Sequence, residues 1–211
     1  MMNDKRLVFF DVDGVLIHGY HARPELRKCW DENIEHDLGI DREHFTQNFI
    51  FGIFTQRVVI GEMDLKLALS EYLSSVKSPV TAAELVDYWL ENDSTVNDSL
   101  IEKIKLLKEC GQVQLLIATN QEHYRADYLM KQIGFNQYFS DIFHSARIGY
   151  IKPDRNYFAG VMQKIGESSR PPIFFDDKQN IVDAAIDFGW EAHQFDGVDD
   201  LNKSSFIRSL L

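Results

Sequence analysis

The chain has 211 residues, a hydrophobic fraction of 45% and a charged fraction of 26%, ordinary for a globular protein that buries a core without staples. Its formal net charge of −11 excludes general nucleic-acid binding, which needs basic surface, and obliges any anionic ligand to meet local positive charge or a metal. Two well-separated cysteines, Cys29 and Cys110, imply a reduced, cytoplasmic setting, and the apolar run Leu7–Phe10 is too short for a signal peptide or a membrane span.

Leu7–Asp11 reads as a short buried strand, because its apolar residues run together without polar alternation. Gly14 and Gly19 then break the pattern. From Pro24 to about Glu91 the signal is helical. Leu26, Trp30, Ile34 and Leu38 recur at helical spacing, with Gly39 as a stop. Phe45–Ile60 reads as partly helical, and Leu65, Ala68, Leu69, Tyr72 and Leu73 form a further stripe. Thr81 with Glu84 fits a capping box opening a helix through Leu85 and Trp89.

Beyond this block the pattern alternates. A helix carrying Leu100, Ile101, Ile104 and Leu107 precedes a strand over Val113–Ala118. A helix through Tyr124, Tyr128, Leu129 and Ile133 precedes a short strand, Asp141–His144. Asp154 caps a helix with Phe158, Val161, Met162 and Ile165, followed by the strand Ile173–Phe175. A helix with Ile181, Val182, Ala185 and Phe188, a strand over Trp190–Gln194 and a helix over Leu201–Leu210 complete the series. The alternation predicts an α/β fold, a Rossmann-like parallel sheet with helices on both faces. The helical block is then a small all-α cap inserted after the first strand, over the sheet edge where α/β ligands bind. The expected division is a core of 1–20 and 93–211 and a cap of 21–92.

Four segments carry chemistry. Asp11-Val12-Asp13-Gly14 ends the first strand, and unpaired acids there are costly unless they face a metal or a substrate. An Asx-turn helped by Gly14 accounts for the same residues equally well. Ala118-Thr119-Asn120 ends the second strand, where a hydroxyl and an amide can hold phosphate oxygens or simply cap the next helix. Gly149-Tyr150-Ile151-Lys152-Pro153-Asp154 places a lysine before a helix, either to neutralise anions or as a solvated surface residue. Asp176 and Asp177 follow the third apolar strand; adjacent carboxylates repel, so the pair fits a hard cation with oxygen ligands, or a solvated turn.

Together and in this order, the segments resemble the motifs of the haloacid dehalogenase-like superfamily: Asp-x-Asp-Gly, Thr-Asn, Gly-x-x-Lys-Pro and Asp-Asp. The helical block resembles the small caps of sugar-phosphate phosphatases in that superfamily. The resemblance implies a phosphoric monoester hydrolase acting on a small phosphate ester, with Asp11 as a nucleophile that becomes an aspartyl phosphate and Asp13 as general acid and base. It implies phosphoryl binding by Thr119 and Lys152 with Asn120 in support. It also implies Mg²⁺ held by Asp11, the Asp13 carbonyl and Asp177, with Asp176 close behind. Dehalogenases of the superfamily lack the second aspartate, because a halide leaving group needs no proton. A phosphomutase is the nearest rival, and a non-catalytic phospholigand-binding protein the rival from another class. His18 and His21 read as solvated loop residues, and Arg57 as a surface residue or a substrate grip. No histidine joins a zinc spacing, and no oligomeric state follows from the sequence.

Overall fold

A computed structural model describes residues 5–166 and 168–211. Five strands form one parallel sheet: β1 (Arg6–Phe10), β2 (Val113–Thr119), β3 (Ile142–His144), β4 (Ile173–Asp176) and β5 (Glu191–Gln194), in the order β3-β2-β1-β4-β5. β1 is central, and its alternation feeds two cores. Val8 and Phe10 point into one apolar cluster and Leu7 and Phe9 into the other, as successive strand side chains must.

Helices cover both faces. On one side lie α5 (Asp98–Glu109), through Leu100, Ile104 and Leu107, and α6 (His123–Lys131), through Ala126 and Leu129. On the other lie α8 (Arg155–Ile165), with Tyr157, Phe158 and Val161, and α9 (Gln179–Phe188), with Ile181, Val182 and Ala185.

The connection from β1 to β2 carries the helical insert. It contains α1 (Ile34–Leu38), α2 (Arg42–Phe45) running into a π-helix (Thr46–Val58), α3 (Leu65–Ser75) and α4 (Ala82–Asn92). The insert has a third apolar cluster of its own, built on Ile34, Phe45, Phe49, Leu69, Leu85 and Trp89. The capping box of α4 forms as predicted, with Thr81 and Glu84 exchanging bonds. Among the described residues, no helix is long and apolar enough to cross a membrane.

Three local expectations change. The stripe from Leu26 to Leu38 is not one helix: Leu26 is exposed, Pro24–Leu26 is a single 3-10 turn, and only Ile34–Leu38 is α-helical. The preceding chain is tied back instead, with the Lys28 N–H donating to the Gly19 carbonyl at 2.9 Å and Arg27 Nε to the His21 carbonyl at 2.7 Å. Helix does stop at Gly39, whose φ of 64° suits glycine. Thr46–Val58 is helical throughout, but its wider i→i+5 winding hides the 3.6-residue stripe. The last helix breaks at Ser204, which caps a short α-helix (Ser205–Arg208) after a 3-10 segment (Val198–Lys203).

The insert docks on the core through the turn that follows its π-helix. Ser145 Oγ donates to the Val59 carbonyl at 2.5 Å. Gly61, at φ 79°, packs on the Ala146 backbone so closely that an added Cβ would clash with the Ala146 carbonyl. Gly61→Ala meets both backbone strain and that clash, and is expected to destabilise the protein by roughly 1–3 kcal/mol. Urea unfolding of the variant checks this; an unshifted midpoint would show that the turn does not anchor the insert.

Candidate active site

The carboxyl ends of the three central strands meet at one point, because β1 lies between β2 and β4 in parallel register. β1 delivers Asp11 and Asp13, β2 delivers Thr119 and Asn120, and β4 delivers Asp176 and Asp177. Lys152 enters from the loop between α7 (Ser145–Ile148) and α8.

Lys152 is the centre of the arrangement, and its side chain is 1% exposed. Its Nζ lies 2.9 Å from Asp11 Oδ1 and 2.6 Å from Asp176 Oδ2, and it donates to the Ala118 carbonyl at 2.9 Å. The approach to Asp11 is an ionic contact without hydrogen-bond alignment. Burial opposes the ammonium charge, but Asp11 and Asp176 outweigh it and raise the Lys152 pKa. Asn120 holds the lysine's backbone at two points: its Oδ1 accepts from Lys152 N at 2.7 Å, and its Nδ2 donates to the Lys152 carbonyl at 2.9 Å. Thr119 is buried beside them at the end of β2.

The acidic residues are unequally supplied with partners. Both Asp176 oxygens have a partner, Oδ2 on Lys152 and Oδ1 accepting from the Lys178 N–H at 2.9 Å. Asp177 Oδ2 accepts from the Ala22 N–H at 2.5 Å, whereas its Oδ1 is buried without a partner. Gly14 permits this packing: at φ 80°, an added Cβ would sit 2.6 Å from Asp177 Oδ2. Carboxylate oxygens of Asp11, Asp176 and Asp177 lie within 4.8 Å of one another, the metal-compatible cluster found among the described residues. Burial, then the neighbouring Asp11 and Asp176, push the Asp177 pKa up to about 7. Burial also raises that of Asp11, with Lys152 opposing. An orphaned buried oxygen in an all-oxygen donor set short of positive charge fits a hard divalent cation.

Asp13 stands apart from this cluster. Arg125 grips it from Nη2 to Oδ1 at 2.8 Å and from Nη1 to Oδ2 at 3.0 Å, and Gln121 Nε2 donates to Oδ2 at 2.5 Å. Sequence reasoning missed Arg125 and Gln121. Arg125 stands one turn before Leu129 and two before Ile133, on the buried face of α6, and that placement is the signal that could have marked it. His21 is also not the solvated residue expected: it is buried, its Nδ1 accepts from the Arg23 N–H at 2.9 Å, and it lies 3.9 Å from Asp177 Oδ2. His18 and Arg57 are exposed.

The family model of haloacid dehalogenase-like hydrolases matches residues 5–189, and the chain belongs to that family. No curated protein matches the chain in sequence. Among solved structures, an HAD-like family hydrolase from Porphyromonas gingivalis is 19% identical, with a TM-score of 0.72 over 98% of each chain. An HAD family enzyme from Bacteroides thetaiotaomicron, in complex with magnesium and inorganic phosphate, is 16% identical, with a TM-score of 0.70 over 90% of this chain and 93% of that one. The L-2-haloacid dehalogenase from Xanthobacter autotrophicus is 16% identical, with a TM-score of 0.62 over 96% of this chain and 82% of that one. At these identities the likeness establishes the fold and nothing finer.

The raised Asp177 pKa has a measurable consequence. Between the ordinary value of 3.8 and about 7, the folded metal-free chain keeps a proton that the unfolded chain has lost. Stability from this group is therefore fully present below pH 3.8 and lost as pH rises through about 7. Asp177→Asn should remove that fall. Thermal unfolding of both proteins in chelator, across this pH range, checks it; parallel curves would contradict the assignment.

Proposed function

We propose that this haloacid dehalogenase-like hydrolase is a Mg²⁺-dependent phosphatase that cleaves a small phosphate monoester, such as a sugar phosphate, through an aspartyl-phosphate intermediate. One observation carries the reading. Asp11, at the end of the central strand, faces a fully buried Lys152 at 2.9 Å and shares a cluster with Asp177, whose Oδ1 has no protein partner. A carboxylate, a cation and an unsatisfied metal-compatible oxygen are what in-line phosphoryl transfer needs in one place. The magnesium and phosphate bound by the Bacteroides thetaiotaomicron enzyme support the same reading.

In the first step a carboxylate oxygen of Asp11 attacks phosphorus, and the bond from phosphorus to the ester oxygen breaks. Asp13 gives its proton to the departing alkoxide. In the second step Asp13 takes a proton from water, whose oxygen attacks phosphorus; inorganic phosphate leaves and Asp11 is restored. Lys152 and Thr119 hold the equatorial oxygens, and Asn120 supports them by fixing the Lys152 backbone. Asp11, the Asp13 carbonyl and Asp177 would hold Mg²⁺, which would offset phosphoryl negative charge. Asp176, whose two oxygens each have a protein partner, would serve that site by holding Lys152. The dehalogenase shares the fold, so fold does not choose between the chemistries; the presence of an acid at Asp13 favours an alkoxide leaving group over halide. The helical insert covers the site and excludes water before the acyl phosphate forms.

A phosphate-release screen with Mg²⁺ over sugar phosphates, nucleotides and small esters tests the proposal. Asp11→Asn should abolish turnover in a folded protein, and acid-quenched wild type should carry phosphate on the Asp11 peptide by mass spectrometry. Undiminished Asp11→Asn activity would end the mechanism. A sugar-phosphate isomer as the main product, seen by phosphorus NMR, would make the protein a mutase.

Chelator should remove activity and Mg²⁺ restore it. Asp177→Ala should weaken Mg²⁺ binding in calorimetry more than Asp176→Ala does. The reverse order would exchange their roles.

A further inference from the structure

Asp13 is held more firmly than a solvent-facing proton donor requires. An ionised carboxylate offers about four lone-pair sites. Arg125 and Gln121 occupy three of them and leave one, on Oδ1. Arg125 is itself buried and holds a second acid: its Nη2 lies 3.0 Å from Asp93 Oδ2 and donates to the Asp93 carbonyl at 3.0 Å.

Asp93 occupies a particular place in the chain. It directly follows α4, the last helix of the insert, and precedes α5, which packs on the sheet. Its Oδ2 accepts from Trp89 Nε1 at 3.3 Å, and the Trp89 ring stacks on Trp30 with centroids 4.5 Å apart. A continuous run of contacts thus leads from the insert's own core, through Asp93 and Arg125, to Asp13. Arg125 also helps wall a small cavity between core and insert, opposite Phe54, Leu65 and Trp89. A buried arginine between two carboxylates is a poor stability device, because desolvation cancels much of the attraction. Its planar fork, however, grips Asp13 through two nitrogens and so fixes the plane of that carboxylate, which the single nitrogen of a lysine cannot do.

We propose that Arg125 is a positioning residue that sets the orientation of the Asp13 carboxylate and makes it follow the insert through Asp93. The proposal rests on the reading of Asp13 as the proton donor. Displacement of α4 moves Asp93, changes the grip of Arg125 and turns the Asp13 oxygen that carries the proton. Linkage then requires the converse: a substrate that draws Asp13 out of the grip also biases the insert.

The test compares the rate of enzyme phosphorylation by glycerol phosphate and by p-nitrophenyl phosphate in the Mg²⁺-loaded protein. The aryl ester departs without a proton, so it reports attack by Asp11 alone. Arg125→Lys should slow the first step about tenfold or more with glycerol phosphate and less than about threefold with the aryl ester. Asp93→Asn, which leaves Arg125 on Asp13 but weakens its anchor, should show the same selectivity at smaller size, and stands alone if Arg125→Lys does not fold. Equal losses with both esters, or no loss, would overturn the proposal. Asp13→Asn separates the two levels. Selective loss there with an unselective Asp93→Asn and Arg125→Lys removes only the positioning role, whereas an unselective Asp13→Asn removes the acid assignment and the proposal with it.

Discussion

The carboxyl edge of this sheet depends on one buried ammonium group. Asp11, Asp176 and Asp177 converge because the central strand lies between its two neighbours in parallel register. Three carboxylates so close repel each other, and burial raises the pKa of Asp11 and Asp177. Lys152 meets two of them directly and is almost wholly withdrawn from solvent. The loop that carries it is fixed by Asn120, whose amide oxygen and nitrogen both bond the Lys152 backbone. The third carboxylate, Asp177, is not answered by the lysine, and its free oxygen is where the charge balance remains open.

Around this point the molecule divides its apolar burial. Two clusters on either face of the sheet hold the strands in register, and a third, within the insert, lets that region pack as a unit of its own. The insert and the core meet through several contacts. One is the close backbone packing at Gly61, where glycine is needed for both conformation and space. Another is the ion-paired Asp93–Arg125–Asp13 series, which brings an acid of the insert's return linker against an acid of the site. The first contact is rigid and steric; the second is polar and oriented, which suits the proton donor proposed at Asp13.

Much of the fold was legible along the chain. Strands read from unbroken apolar runs, the insert from its loss of strand signal, and the cap of α4 from the pair Thr81 and Glu84. The failures share a cause. The Leu26–Leu38 stripe has helical spacing, but the chain there is drawn to the sheet edge by bonds to Gly19, His21 and Asp177 that no local pattern reveals. His21 is buried for the same reason. The π-helix was half seen, because its winding departs from the periodicity by which helices are read.

The site divides along the same line. Asp11, Asp13, Thr119, Lys152, Asp176 and Asp177 were visible in sequence because each follows a strand or opens a helix, so its place at the carboxyl edge is a matter of neighbouring residues. The division of labour among them was not. That both Asp176 oxygens have partners while Asp177 keeps a free oxygen, and that Asn120 serves the lysine's backbone, depends on distances between separate segments. Arg125 is the clearest case: it grips an acid 112 positions away. A sequence records chemistry and local periodicity; only folding decides which of its charges meet, because ion pairing depends on distance in space and burial rather than on order along the chain.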